Sequence, residues 1–202
     1  FFMAGMPWLW IIVMAGGAAG FLFIAYTVFP HVAGRINQFL TGEGNTFQVD
    51  TAHDAIQRGG WFGVGPGEGT VKRILPDSHA DFVFSVSAEE FGIVFCMALV
   101  GLYMFVVMRG LRHALADRND FTRFAVAGLV LQIGFQSIIN IGVNLQLLPA
   151  KGMTLPLISY GGSSQIAICV TAGFILALTR HRPEKRAQER SLFRSGAIAP
   201  AE

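Results

Sequence analysis

Charge is scarce in this sequence. Lys, Arg, Asp and Glu make up 14% of its 202 residues, against about 25% in a soluble domain, and that shortage excludes a soluble globular protein. Cysteine is nearly missing as well. Cys96 and Cys169 both fall inside apolar runs, which leaves them as small core residues and excludes a disulfide framework or a cysteine metal site. No G-x-x-x-x-G-K-[ST] pattern occurs, so the glycine run GGWFGVGPGEG at residues 59–69 is not a nucleotide loop. No charged leader or cleavage site precedes the first apolar stretch, so that stretch is not a signal peptide. The chain begins at Phe1 without Met, and the expectation is that part of a longer protein precedes it. A net charge of +2 gives no reason to expect nucleic acid as a partner.

What remains is apolar: 52% of residues are hydrophobic and 18 are Phe. About 20 apolar residues cross a bilayer as a helix, and four segments meet that requirement. They run from Trp8 to Phe29, Phe82 to Met108, Phe124 to Leu147 and Gln165 to Thr179. The last is short, so Ile158 to Ser164 is expected to dip into the membrane before it. Pro30 ends the first segment, and Gly16, Gly17, Ala18, Ala19 and Gly20 within it suit either close helix packing or a flexible spot.

Lys and Arg set the orientation. Arg109, Arg112, Arg118 and Arg123 surround the connection between the second and third spans, and Arg180, Arg182, Lys185, Arg186, Arg190 and Arg194 follow the fourth. By the positive-inside rule both lie in the cytoplasm. Residues 31–80 and 148–163 then share the outer face, and residues 183–202 form a disordered cytoplasmic tail. The outer loop at 31–80 is too long for a plain connector; its Phe39, Phe47, Trp61 and Phe62 favour a partly ordered structure lying on the membrane.

The chemistry-bearing stretch is KRILPDSHADFVFSVSAEEFG, Lys72 to Gly92. Asp81, Ser85 and Glu89 are spaced to stack on one helix face, and ionised groups in such an apolar setting mark a functional path. Simple capping by Asp81 is the bland alternative, but it leaves Glu89 and Glu90 unexplained. The glycine run just before is either a hinge or a set of backbone amides approaching a phosphate, with Lys72 and Arg73 beside it. His79 positions the loop.

A second constellation repeats every fourth residue: Gln132, Gln136, Asn140 and Asn144. The deeper two fit interhelical hydrogen bonds, and the outer two are placed to line a polar cleft. The following LLPAKGMTLPLISYGGSSQ puts irregular backbone at membrane depth, which survives only in protein or beside a cavity. Lys151 within it is either a snorkelling lysine or a neighbour of Asp81 and an anionic substrate. A carboxylate, cations at Lys72, Arg73 and Lys151, and adjoining lipid suit an amphiphile bearing a pyrophosphate. The carboxylate would take a proton from an attacking hydroxyl, and the cations would stabilise the leaving phosphate.

GVGPGEGTVKRILPDSHADFVFSVSAEEFG followed by NIGVNLQLLPAKGMTLPLISYGGSS resembles the SEDS family (shape, elongation, division and sporulation) of polytopic membrane proteins. The P-A-K-G-M-T-L-P form is closer to the division member than to the elongation member, which tends to lack the lysine. The resemblance covers the chain to about residue 182 and implies an all-α bundle of ten transmembrane helices, of which these four match the last four. It implies a peptidoglycan glycosyltransferase polymerising lipid II, with Asp81 as general base and undecaprenyl pyrophosphate leaving. Lys151 matches the lysine of the second motif, which implies a supporting electrostatic or substrate-binding role. From the residues themselves, Lys72, Arg73, His79, Ser159, Gly161, Gly162, Ser163, Asn140 and Asn144 are the further substrate-binding candidates, with Glu89 and Glu90 supporting the site. Ala80 stands where many relatives carry Thr. The implied partners are a class B penicillin-binding protein and divisome proteins in the bacterial inner membrane, with the site facing the periplasm. No cofactor is implied, and a divalent cation is left open. A lipid II flippase and a non-catalytic scaffold are the rival functions.

The orientation is checked by impermeant maleimide labelling of spheroplasts. With Cys96 and Cys169 changed to Ser, a Lys151→Cys protein is expected to label from outside and an Arg118→Cys protein only after lysis.

Overall fold

The computed structural model describes residues 7–41, 47–149 and 151–180; the expected tail at 183–202 lies outside them. The protein is an all-α polytopic membrane protein. Its helices are α1 (Trp8–Val28), α2 (Pro30–Thr41), α3 (Phe47–Gly59), α4 (Val83–Ala116), α5 (Asp120–Asn144) and α6 (Gly162–Thr179). Among the described residues, α1, α4, α5 and α6 are the four long and apolar enough to cross a membrane. Each overlaps a span expected from the sequence. The 31–80 loop carries regular structure: α2 and α3 occupy about half of it, and a short 3-10 turn covers Val71–Arg73.

Helices α4 and α5 form an antiparallel hairpin. Asn119 caps α5 by accepting from the Phe121 and Thr122 amides at 3.0 and 3.4 Å, which sets a sharp start after the Arg-bearing connection. The hairpin closes at that end around Ala114, Val126, Ala127 and Val130, against which Ile175 and Leu178 of α6 pack. At the opposite end α3 lies over the mouth of the bundle. Ala52 and Ala55 bury against Val71, Leu75, Phe82 and Val143, and Gln146 donates to the Val49 carbonyl at 3.3 Å. Helix α1 rests on α2; its glycines Gly16, Gly17 and Gly20 have nothing within 4 Å, so no close packing uses them among the described residues.

The feature that holds the α3 end of the bundle is a break in α4. Gly92 takes φ 83° and ψ 176°, a left-side backbone conformation that glycine adopts without a Cβ clash. The break strips the helix of hydrogen bonds around it, and those groups need partners in hydrocarbon. The glycine run supplies them. The Val64 and Gly65 amides donate to the Glu89 and Glu90 carbonyls at 2.9 and 3.1 Å, and the Ile93 and Val94 amides donate to the Gly60 and Trp61 carbonyls at 2.9 and 3.3 Å. The run is therefore neither a hinge nor a phosphate cradle. It is main chain spliced into a broken helix.

That splice depends on the absence of side chains. A Cβ on Gly92 would stand 2.4 Å from the Trp61 carbonyl oxygen, and one on Gly63 (φ 78°) would stand 2.1 Å from that of Glu90. Gly92→Ala and Gly63→Ala are expected to cost about 3 kcal/mol or more, from overpacking together with positive-φ strain. Gly101→Ala, with nothing within 4 Å, is expected to be neutral. Thermal unfolding in detergent reads the difference.

Candidate functional site

At the splice itself, the side chains of two neighbouring glutamates find different partners. Glu89 is 1% exposed. It accepts from the Thr70 amide at 3.0 Å, the Thr70 hydroxyl at 3.1 Å and the Val71 amide at 3.1 Å, so the start of the 3-10 turn serves as its partner. Glu90 pairs with Lys72 at 2.7 Å, and the same ammonium donates to the Gly67 carbonyl at 2.8 Å. Lys72 thus fastens the glycine run to α4. The expectation that Lys72 serves a phosphate is corrected here, because its charge is paired with Glu90 and two of its three donors are taken.

From the 3-10 turn the chain descends to Asp81 through tight turns. Ser78 donates to the Lys72 carbonyl at 3.1 Å. The Ala80 and Asp81 amides both return to the Asp77 carbonyl, at 2.9 and 3.0 Å. Asp77 itself sits at φ 56°, a region Asp tolerates better than most residues. Helix α4 starts at Val83 with Phe82 at the cap position. Asp81 therefore precedes the helix; it neither caps it nor stacks with Ser85 and Glu89 on one face. Its carboxyl is half-buried, and burial first, then the nearby Asp77 charge, hold its pKa above the usual 3.8.

The segment between α5 and α6 closes over this point. A Cβ on Gly152 would stand 3.1 Å from Asp81 Oδ2, so the carboxylate lies against bare backbone beside Lys151. Lys151 and Arg73 are both exposed, and neither forms an ion pair with Asp81 among the described residues. The Tyr160 amide donates to the His79 carbonyl at 2.9 Å, joining the two segments a second time. Between these joints the chain plunges: Tyr103 donates its hydroxyl to the Pro156 carbonyl. Tyr103 lies eleven residues beyond Gly92, roughly 16 Å further along the helix. The dip was expected at Ile158 to Ser164, but the contacts furthest along α4 and α5 are made earlier, by Thr154 and Pro156. Leu157, in the turn that follows, holds φ 67°, a strained state for a branched side chain.

Several expected substrate contacts are internal. Ser159 is 1% exposed and its hydroxyl accepts from the Leu155 amide at 2.7 Å. Asn140 and Asn144 are 1% and 0% exposed; they lie beneath Asp81, bonded to main chain, instead of lining a cleft. Gln136 donates to the Thr154 carbonyl and hydroxyl at 3.0 and 3.2 Å, whereas Gln132 is exposed. Gly161 leads into α6, where a Cβ would meet Ser164 Oγ at 2.6 Å. Gly162 and Ser163 are exposed on its first turn, as is the His79 side chain. Gly152 was missed from the sequence, although a residue without a Cβ beside a lysine is a signal for close approach. Tyr160 contributes through its amide, which no side-chain pattern reveals.

A family model described as cell cycle protein, covering FtsW, RodA and SpoVE, matches residues 1–184. This chain belongs to that family. It is 50% identical over 184 residues to a Caulobacter vibrioides protein named Probable peptidoglycan glycosyltransferase FtsW, covering 91% of this chain and 47% of that one. A Neisseria gonorrhoeae protein of the same name is 37% identical, with 88% and 40% covered. The chain thus spans about half the length of the curated relatives it matches. Its fold is similar to a chain in a solved peptidoglycan synthase complex described as coordinating polymerization and crosslinking, with a TM-score of 0.72, 32% identity, and 89% and 51% covered. It is also similar to a mutant of the Thermus thermophilus rod shape determining protein RodA, with a TM-score of 0.51, 40% identity, and 62% and 39% covered.

The two glutamates are expected to differ sharply on truncation. Glu89→Ala strands buried amides and is expected to cost about 2–3 kcal/mol. Lys72→Ala, which breaks a partly buried pair at the protein's edge, is expected to cost less, about 1 kcal/mol. Thermal denaturation of the two variants in one detergent ranks them.

Proposed function

We propose that this chain carries the catalytic centre of a peptidoglycan glycosyltransferase that polymerises lipid II, with Asp81 as the general base. The observation that carries the reading is the carboxylate itself. It is half-buried, raised in pKa, free of any ion pair among the described residues, and set against Gly152 beside an exposed lysine. A raised pKa suits a group that must accept a proton. Asp81 takes the proton of the acceptor sugar's 4-hydroxyl as its oxygen bonds the donor's anomeric carbon. The bond from that carbon to undecaprenyl pyrophosphate breaks, and its electron pair leaves on the phosphate. Arg73 and Lys151 are the cations available to meet the developing charge. His79, Gly162 and Ser163, exposed around the same point, are assigned to the substrate; Gly161 shapes the turn that presents them.

The names of the relatives support the reaction class. The similar synthase complex couples polymerization to crosslinking, which supports assembly of this chain with a class B penicillin-binding protein. The FtsW-named relatives support work in division alongside divisome proteins. The proposed setting is the inner membrane, with Asp81 on the periplasmic face. A flippase role drew its support from the polar stripe on α5, but Gln136, Asn140 and Asn144 are spent on internal contacts, so that support falls away.

The test is glycan polymerisation by the full-length protein with lipid II and its transpeptidase partner. Asp81→Ala is expected to lower the rate about 10²–10⁴-fold; an undiminished rate sinks the reading. The pKa direction adds a second expectation. Because folding raises the Asp81 pKa, its ionisation opposes folding. That penalty is fully present above the folded-state value and vanishes below the unfolded one. Asp81→Asn is therefore expected to lose activity while unfolding at the same or a higher temperature at pH 7, with the gap closing as pH falls toward about 4. The wild-type rate is expected to fall in acid with a midpoint above 3.8.

A further inference from the structure

We infer that helix α5 is a ruler for this site: side-chain amides on one of its faces fix where the Asp81 carboxylate stands relative to the Lys151–Gly152 backbone. The inference rests on the general-base reading of Asp81 and assigns it positioning residues. Asn144, Asn140 and Gln136 are each one turn apart, about 6 Å along the axis per step. Asn144 donates to the Asp81 carbonyl at 3.1 Å while its own oxygen accepts from the Ser85 hydroxyl at 2.7 Å and the Ser85 amide at 3.2 Å. One turn deeper, Asn140 donates to the same Asp81 carbonyl at 2.9 Å and also to the Met153 carbonyl. A further turn deeper, Gln136 holds Thr154.

Asn140 is the decisive member. A carboxamide nitrogen has two hydrogens, and here one goes to each outer segment, so a single side chain joins the main chain on both sides of the carboxylate. Its burial keeps water from replacing either bond. The amides do not hold the carboxylate oxygens; they hold the carbonyl of the same residue. Proton transfer stays open while the backbone beneath it is fixed. A shift of about 1 Å at such a site costs on the order of 10²-fold in rate.

Two measurements test the ruler on the full-length protein, the first independent of activity. With Cys96 and Cys169 changed to Ser, Asp81→Cys with Gly152→Cys places two thiols within reach of a disulfide, and mild oxidation is expected to join them. Adding Asn140→Leu is expected to slow that joining about tenfold or more, because disulfides demand narrow geometry. In the second, Asn140→Ala and Asn144→Ala are expected to lower kcat about 100-fold with KM for lipid II within about twofold. Unchanged cross-linking with Asn140→Leu, or a loss confined to KM, overturns the proposal. If Asn140→Leu does not fold, Asn140→Ser takes its place: one hydroxyl donor cannot serve both carbonyls, and the same slowing is required. Should Asp81→Ala polymerise normally, the general-base reading fails, while the cross-linking rate still decides whether α5 sets the spacing.

Discussion

A helix interrupted inside a bilayer exposes amides and carbonyls that hydrocarbon cannot satisfy, and the rest of this structure is arranged around that debt. The interruption at Gly92 is closed by main chain from residues 60–65. Closing it immobilises α3 and the glycine run on top of α4. It also places Thr70 and Val71 over Glu89, and that contact fixes the origin of the turns leading to Asp81. The site is thus reached by a series of local contacts, each anchored to the previous one, from the break to the carboxylate.

The acidic groups of this region are sorted by what surrounds them. Glu89 receives backbone and hydroxyl donors, and Glu90 receives an ammonium. Asp81 receives neither among the described residues, and the charge that perturbs it is the repulsive Asp77. Three carboxylates within nine positions of one another therefore have different chemistry without any difference in covalent structure. Hydrogen-bond donors surround the first two, whereas burial and a like charge raise the pKa of the third.

The spans, the sharing of one end by two separated segments, and the meeting of Asp81 with the Lys151–Gly152 stretch were all legible in the sequence. Long apolar runs and rare charges carry those signals directly. The fate of the glycine run was not legible. Its partner is the backbone of a helix some thirty residues later, and main-chain pairing between distant segments leaves no residue pattern beyond a tolerance for glycine. Asn140 and Asn144 misled for a related reason. A stripe of amides at helical spacing looks the same whether it meets a ligand, a neighbouring helix or a carbonyl, and only the fold shows that Asp81 and Met153 take the donors. Lys72 looked available because Glu90 is 18 positions away; the break brings them together.

The stripe on α5 has a further consequence for how such a chain can vary. Adding or deleting one residue between Gln136 and Asn144 turns everything beyond it by about 100°, so the three amides no longer share a side. Point changes elsewhere on the lipid-facing surface of α5 carry no such penalty. Length, as much as the three amides themselves, is a property that this nine-residue stretch cannot drift in, and the connection at 117–119, remote from the amides, is where an inserted residue is expected to do least harm.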